Sequence, residues 1–206
     1  MKDDEYDRRL NKVKLSLAWL NANATHAIEL CESFTFPAHD SSLRKTIEVT
    51  NNNRCYKAYL EAIYFEFIMT LMRMYDNYKS DDTICFEKIF QYLSADFVHD
   101  FENKSQRKVK NKIQSVLIDY KSLNNSHLVA RLKTVRDRMF AHTSAAFNRS
   151  QVAKYGYAEE LLEKTLPMLN NLNSAFHDKV EPFDTIRKYW KGYATTFWKT
   201  FLIENG

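Results

Sequence analysis

The chain has 206 residues, 45% of them hydrophobic and 14% aromatic. That is enough apolar material for one packed core, and it argues against a disordered chain. Only 3 glycines and 3 prolines are present, too few for the many turns of a sheet protein of this size. The net charge of +4 permits a polyanionic partner but does not require one. The sequence therefore predicts an all-α protein, with one domain over residues 1–206.

The chain shows no signal for export, for a membrane or for a cofactor. Its first residues are charged and no apolar run follows them, unlike a signal peptide. No stretch approaches the roughly 20 apolar residues that span a bilayer. Cys31, Cys55 and Cys85 are odd in number and form no C-x-x-C pair, so neither a zinc site nor a disulfide framework is indicated. We expect a cytoplasmic protein without metal or other cofactor.

Apolar residues at intervals of three and four predict the N-terminal helices. A first helix is predicted from Asp3 to about Cys31. The segment from Phe34 to Asn53 contains Pro37 and is predicted to be a connection with a short helix from Ser42. The most apolar stretch is predicted to be a central helix of the bundle, and a short helix capped by Asp82 or Thr83 follows it; these helices cover Tyr56 to about Tyr78 and Thr83 to Leu93.

The C-terminal half contains four more predicted helices. They run from Ser94 to about Tyr120, from Ser126 to about His142, from Tyr157 to His177 and from Pro182 to Ile203. Pro167 is expected to kink or split the third of these. The predicted architecture is an up-and-down bundle of about five long helices plus short ones. Residues 1–53 form its N-terminal helix and connection, and residues 54–203 form the bundle core.

The segment from Leu128 to Phe147 carries the chemistry-bearing candidates. Its apolar stripe consists of Leu128, Leu132, Val135 and Met139, at the helical period. On a helical wheel Arg131, Arg138 and His142 lie along one flank of the stripe, Arg136 lies along the other, and Asp137 points away. If an identical helix covers the stripe, a two-fold axis brings two copies of Arg136 and His142 to one groove.

An arginine and a histidine are sufficient for RNA cleavage without a metal. Histidine exchanges protons near neutral pH, and a positioned arginine stabilises the charge that develops on phosphorus. RNA supplies its own nucleophile, the 2′-hydroxyl. The spacing alone is also expected by chance. The alternative is an exposed helix with basic residues beside its buried stripe and a histidine favoured by the C-terminal dipole.

The string Arg136-Asp137-Arg138-Met139-Phe140-Ala141-His142 resembles the signature of the HEPN superfamily, an Arg followed by a polar residue and then a His after four to six residues. Alanine before the His resembles the AbiU-type abortive-infection branch. The helix ending in 71–76, the short helix at 84–90 and the later helix with Glu160 and Leu161 are similar to that branch in order and spacing. The likeness covers about Tyr56 to Ile203.

This resemblance implies a helical bundle that forms homodimers and cuts RNA without metal, in phage defence or toxin–antitoxin systems, where an antitoxin protein is a possible partner. It assigns phosphate stabilisation to Arg136 and proton transfer to His142. Asp137 would orient the arginine or the RNA, and Arg138 occupies the position of a second basic residue. Some toxins of the superfamily carry a modified tyrosine two residues after the His; here that residue is Ser144, so such neutralisation is not expected.

Other candidates have a structural and a functional interpretation. Arg73 and Asp76 are either an ion pair at a helix end or supports for the Arg136–His142 site from a neighbouring helix. The basic residues Lys108, Lys110 and Lys112, with Arg131, either bind an RNA backbone or form a solvated face. Aromatic residues in the last helix predict core or dimer packing rather than base stacking; they are Tyr189, Trp190, Tyr193, Phe197, Trp198 and Phe201. A metal site at Asp96, His99 and Asp100 lacks a fourth ligand.

Two functions therefore remain open. The first is a metal-independent endoribonuclease that uses Arg136 and His142 at a homodimer groove. The second is a catalytically silent helical dimer that binds RNA or a protein partner. An enzyme requires both side chains in one cleft, within about 10 Å across a dimer. A transcription regulator is disfavoured because no convincing helix-turn-helix is present.

Overall fold

A computed structural model describes residues 3–49, 53–76, 84–141, 156–177 and 179–205. Within these ranges the chain forms nine α-helices and no strand, which confirms the all-α helical bundle. The helices are α1 (Asp3–His39), α2 (Ser41–Val49), α3 (Asn53–Tyr75), α4 (Phe86–Tyr92), α5 (Ala95–Ser105), α6 (Lys110–Asn124), α7 (His127–Ala141), α8 (Gly156–Phe176) and α9 (Phe183–Asn205).

The first helix is longer than predicted. We expected a connection from Phe34, but α1 continues through Pro37 to His39. A proline inside a helix leaves the carbonyl four residues earlier without its usual donor. Here that carbonyl belongs to Ser33, and the indole Nε1 of Trp198 in α9 donates to it at 3.2 Å. A tertiary hydrogen bond therefore replaces the missing backbone one, and the helix does not end.

The core is assembled around α1, which packs against α3, α4, α8 and α9. The apolar positions of the predicted helical period are buried in α1, and the buried residues of α3 lie from Ile63 onward; those of α1 are Val13, Leu17, Leu20, Ala24, Ala27 and Ile28. Leu15 and Trp19 of α1 are instead more than half exposed. A reciprocal amide pair joins α1 to α8, in which Asn21 and Asn173 each donate to the other at 2.8 and 3.0 Å. Buried polar groups thus pair with each other inside the apolar interface.

The predicted helix from Ser94 to Tyr120 is two helices. Gln106 adopts a left-handed conformation (φ 57°) after α5, which stops helix propagation. The Glu102 carboxylate then accepts from the backbone N–H groups of Val109 and Lys110 at 2.6 and 2.8 Å. These hydrogen bonds cap α6 and lower the pKa of Glu102. The prediction failed because this cap comes from seven residues earlier, beyond any local capping pattern.

The remaining helices differ from the predictions at two points. Helix α4 begins at Phe86 with Cys85 as its N-cap, so the predicted cap by Asp82 or Thr83 was wrong; both residues lie outside the described ranges. Pro167 does not split α8, which runs unbroken to Phe176. The end of the predicted central helix, up to Tyr78, also lies outside the described ranges after Asp76.

The aromatic residues of α9 divide between core and surface. Trp198 is buried against Leu43, and Trp190 packs partly on the main core, as expected. Tyr189, Tyr193 and Phe197 are instead exposed by more than half. The side chain of Phe201 is outside the described part of the chain.

A membrane-spanning helix is not found among the described residues: none of their helices combines the length and the apolar character that a bilayer crossing needs.

Candidate functional site

Helix α7, which carries the candidate arginines, is fixed from its first turn. The Ser126 hydroxyl accepts from the backbone N–H of Val129 at 3.4 Å, an N-cap of the usual kind. Leu128, Leu132 and Val135 are buried, as the predicted stripe requires. They pack against α3, α6 and α8 of the same chain. The part of the stripe up to Val135 is therefore core packing within one subunit; the Met139 side chain is outside the described residues.

Arg136 is held by two carboxylates. Its side chain is only 17% exposed. The guanidinium donates through Nη1 to Oδ1 of Asp76 and through Nε to Oδ1 of Asp137 at 2.9 Å. The Nη2 atom also lies 2.8 Å from Asp137 Oδ1. Burial disfavours the charged form, but the two carboxylates outweigh it and raise the pKa of Arg136, so the charge is permanent.

Asp76 is placed by the packing of the preceding residue. Tyr75 is fully buried, and its hydroxyl lies 2.7 Å from Oγ1 of Thr165 in α8. Its ring stacks on Tyr120 of α6 at 6.1 Å between centroids. Burial also raises the pKa of Tyr75, so the phenol stays neutral and keeps its proton for this hydrogen bond. The end of α3 is thus fixed on α6 and α8, with the Asp76 carboxylate directed at Arg136.

Arg73 does not join this group. Its guanidinium pairs at 3.3 Å with Glu66, seven residues or about two helical turns earlier in α3. Both side chains are about half exposed. Of the two residues named from the sequence at the end of α3, the structure brings Asp76 to Arg136 and leaves Arg73 in an ion pair within its own helix.

Arg131 lies on the opposite flank of α7, as the helical wheel predicts. Its Nη1 donates to the Tyr157 hydroxyl at 3.1 Å, and its guanidinium carbon lies 5.5 Å from the centre of that ring. Tyr157 belongs to the first turn of α8. Arg131 therefore faces α8, whereas Arg136 faces the end of α3.

His142 lies outside the described residues, as does the side chain of Arg138. The predicted approach of Arg136 to His142, within one subunit or across two, stays a prediction. The described part of the site is the α7 arginine with its two carboxylates.

Two residues of the predicted basic surface line a cavity of about 650 Å³. They are Lys108 and Lys112, which face the C-terminal end of α8; Lys110, from the same run, does not line it. The residues at 96, 99 and 100, which the sequence disfavoured as a metal site, show no metal-site geometry. Among the described residues no group of three or more His, Cys, Asp or Glu side chains is arranged to hold a metal ion, and His99 instead lies 3.1 Å from Asn103.

Comparison with protein families matches residues 3–197 to the HEPN family described as AbiU2. The chain belongs to this HEPN AbiU2 family. The match begins in α1 and ends in α9, so it extends further towards the N-terminus than the resemblance from Tyr56 onward. Neither the curated proteins nor the solved structures that were searched yielded a match.

Sequence reasoning missed several residues around the site of this HEPN AbiU2 protein. Glu66, Tyr157 and Thr165 contact Arg73, Arg131 and Tyr75 respectively, but none lies in a motif or shares a helix face with the α7 arginines. The one local pattern that indicated a supporting residue was the spacing of three between Arg73 and Asp76, and of these two only Asp76 contacts Arg136. The others are found only once the helices are packed.

Proposed function

We propose that this protein is a metal-independent endoribonuclease of the HEPN type, acting in abortive infection or as a toxin. Membership of the HEPN AbiU2 family supports this function. The single structural observation behind it is the Arg136 guanidinium, positioned by Asp76 and Asp137 in the segment that resembles the HEPN signature.

In the proposed reaction an RNA 2′-hydroxyl attacks the adjacent phosphorus atom. His142 takes the 2′-hydroxyl proton as the new O2′–P bond forms. Arg136 stabilises the negative charge on the phosphoryl oxygens. The P–O5′ bond breaks, and the leaving 5′-oxygen takes up the proton that the His142 imidazolium gives back directly or through water. The products are a 2′,3′-cyclic phosphate and a 5′-hydroxyl, with no change in oxidation state.

The geometry of Arg136 suits this role. A guanidinium has five N–H donors in one plane, and within the described ranges Asp76 and Asp137 use one on each nitrogen. A second N–H on each terminal nitrogen remains for a phosphate. The carboxylates fix the plane of the guanidinium, which reduces the entropy lost when the phosphate binds.

The test compares purified wild type with Arg136→Ala, Arg138→Ala and His142→Ala on total RNA. Lys133→Ala is the control, because Lys133 is a basic residue of the same helix and its ammonium group bonds Asn124 instead. We expect cyclic-phosphate ends from wild type and control, and at least a hundredfold loss from His142→Ala. Equal cleavage by wild type and His142→Ala would refute the mechanism. The two arginine variants identify the working arginine.

We further propose that the active form is a homodimer with a composite groove. Mixing subunits of Arg136→Ala and His142→Ala tests this. If each site takes its arginine from one subunit and its histidine from the other, each mixed dimer has one intact site, and about a quarter of wild-type activity returns. No recovery after verified subunit exchange would show that each site lies within one chain.

The second candidate is a catalytically silent dimer. The observation in its favour is that Asp76 and Asp137 already neutralise Arg136, so a phosphate must compete with them. RNA that binds to wild type but is not cleaved would support this function.

A further inference from the structure

A separate basic pocket lies at the C-terminal end of α8. Its walls come from the connection between α5 and α6, the first turn of α6, the last two turns of α8 and the segment before α9. Its volume of about 650 Å³ falls within the range of small-molecule sites. The Tyr75–Thr165 contact beside Asp76 is nine residues before Ser174, about 13 Å along α8. The pocket and the Arg136 group are therefore different places on the molecule.

The charged lining of this pocket is entirely basic over the described residues. The permanent cations are Arg107, Lys108 and Lys112, and His177 completes the set. Asn170, Asn173 and Ser174 add polar groups, and no described lining residue carries a carboxylate. Three cations around one concavity create a positive potential that attracts anions.

Two of these cations form hydrogen bonds to α8, and the third forms no ion pair with a described residue. Arg107 donates to the carbonyl of Ala175 at the end of α8, at 3.4 Å, and Lys112 donates to the Ser174 hydroxyl at 2.9 Å. Both interactions stabilise a helix C-terminus. Lys108 is exposed and forms no ion pair with any described residue. Its ammonium group therefore remains for a ligand.

The α6 N-terminus does not supply the anion site, because Glu102 already accepts from its first N–H groups. The apolar side of the pocket is formed by Val109, Val180 and Pro182. A bare phosphate would fill only a small part of the volume, and these apolar walls suit a ribose or a base. The imidazole of His177 is half-buried, and its pKa is lowered by burial and by the charges of Lys14 and Arg107, which agrees with a positive pocket.

We propose that this pocket binds the phosphate group of a nucleotide, with Lys108 and Lys112 as its principal charge partners. The phosphate belongs either to a free nucleotide or to a nucleotide unit of RNA. Arg136 is not among the residues that line the pocket, and the proposal does not depend on cleavage.

The experiment measures binding by calorimetry at low and at physiological salt. The probes are 5′-AMP, adenosine as the ligand without phosphate, and a five-nucleotide RNA. The RNA is titrated into His142→Ala protein, which prevents cleavage from obscuring binding. The pocket variant is Lys108→Gln with Lys112→Gln. The matched control is Lys121→Gln with Lys199→Gln, which removes the same charge from exposed positions of α6 and α9 outside the pocket.

We expect the pocket variant to weaken phosphate-dependent binding at least tenfold, since a hydrogen bond to a charged group contributes about 1.5 kcal/mol or more and 1.4 kcal/mol is tenfold. The control should change it less than twofold, and adenosine should bind far more weakly than 5′-AMP. Binding of 5′-AMP identifies a free nucleotide as the source, and binding of RNA alone identifies RNA phosphates.

The proposal is overturned if neither 5′-AMP nor RNA binds at millimolar concentration. It is also overturned if the control pair weakens binding as much as the pocket pair, or if adenosine binds as tightly as 5′-AMP. The titrations with 5′-AMP and adenosine involve no cleavage, so their result does not depend on the outcome of the His142→Ala cleavage test. Failure of the nuclease proposal is therefore distinguishable from failure of this one.

Discussion

Among the described residues, Arg136 and Arg187 each pair with two carboxylates, but the positions of the partners differ. Arg187 in α9 pairs with Glu32 of α1 at 2.6 Å and with Glu163 of α8. Each partner of Arg187 lies in a different helix, so that group joins three helices. Arg136 has one partner directly after the end of α3 and one in the next position of its own helix. Asp137 therefore adds no tertiary link, and orientation of the guanidinium is the role that remains for it.

Asp76 is expected to act as a positioning residue for Arg136. In Asp76→Asn the amide no longer fixes the guanidinium through a charged hydrogen bond, and a small misplacement reduces cleavage about tenfold to a hundredfold. The loss should appear in kcat more than in KM. Stability should fall by roughly 1 kcal/mol, because the pair is partly solvated.

Glu66→Gln is the control for this prediction. It removes a carboxylate from the same helix that pairs with Arg73 and not with Arg136. If Glu66→Gln and Asp76→Asn reduce cleavage equally, the positioning role of Asp76 is wrong.

The three cysteines are expected to react very differently. Cys55 is exposed, whereas Cys31 and Cys85 are buried. Burial raises the pKa of Cys31 to about 12 and also raises the pKa of Cys85, and the thiolate is the reactive form. A disulfide reagent at pH 8 should therefore label one thiol rapidly in the folded protein and three after denaturation. Rapid labelling of Cys31 in the folded state would contradict the packing of α1.

The sequence predicted the helical spacing of apolar residues well, but it predicted poorly where the helices continue or end. Apolar spacing located the bulk of α1, α3, α7 and α9. It failed at Pro37, where the helix continues because Trp198 supplies a donor, and at Gln106, where it stops because Glu102 caps the next helix. The first outcome depends on a side chain distant in sequence, and the second on a carboxylate seven residues before the position that it caps. Neither belongs to a local capping pattern.

The helix at Pro37 gives a test of that explanation. Trp198→Phe should destabilise the protein by about 1–3 kcal/mol, because the partly buried carbonyl of Ser33 loses its donor. Pro37→Ala restores a backbone N–H to that carbonyl. The double variant should therefore lose less stability than the two single effects summed, as measured in a denaturant double-mutant cycle.

Trp198→Phe with Leu17→Ala is the matched cycle for comparison. Leu17 is buried in the main core, whereas Trp198 belongs to the smaller cluster with Leu43. Their effects should add within about 0.5 kcal/mol. Additivity in the Pro37 cycle as well would mean that the indole does not replace the backbone donor.

Packing of the helices against one another creates both candidate sites from segments that are far apart in the chain. The sequence named Arg136 and Asp76, and the structure adds that they touch. It named Lys108 and Lys112 as a possible phosphate surface, and the structure sets them against α8. The cavity itself was not predictable, because its remaining walls lie more than fifty positions later in the chain and carry no motif.

Stability is expected to fall as the pH drops below neutral, with a contribution from His177. Its folded-state pKa is lowered from the ordinary value of 6.5, so the unfolded chain takes up the proton first. The neutral ring therefore stabilises the fold above about pH 6.5, and this contribution is lost as the pH falls towards and through the lowered pKa.

His177→Gln should show a smaller decrease in Tm between pH 7.5 and 5.5 than wild type. His99→Gln, which changes an exposed imidazole of α5 that bonds only Asn103 among described partners, should retain the wild-type decrease. Identical pH profiles for wild type and His177→Gln would contradict the prediction.

The long first helix also has a consequence for biosynthesis. Ribosomes release α1 before the helices that cover it, and α9, which supplies the indole at Ser33 and the guanidinium at Glu32, emerges after all the others. Until α9 is synthesised, part of the apolar surface of α1 stays uncovered, where chaperones can bind it and other chains can aggregate with it. A nascent chain that lacks α9 has no side chains to cover this face of the core or to bond Glu32 and Ser33 of α1. The native molecule therefore assembles only after α9 has been translated.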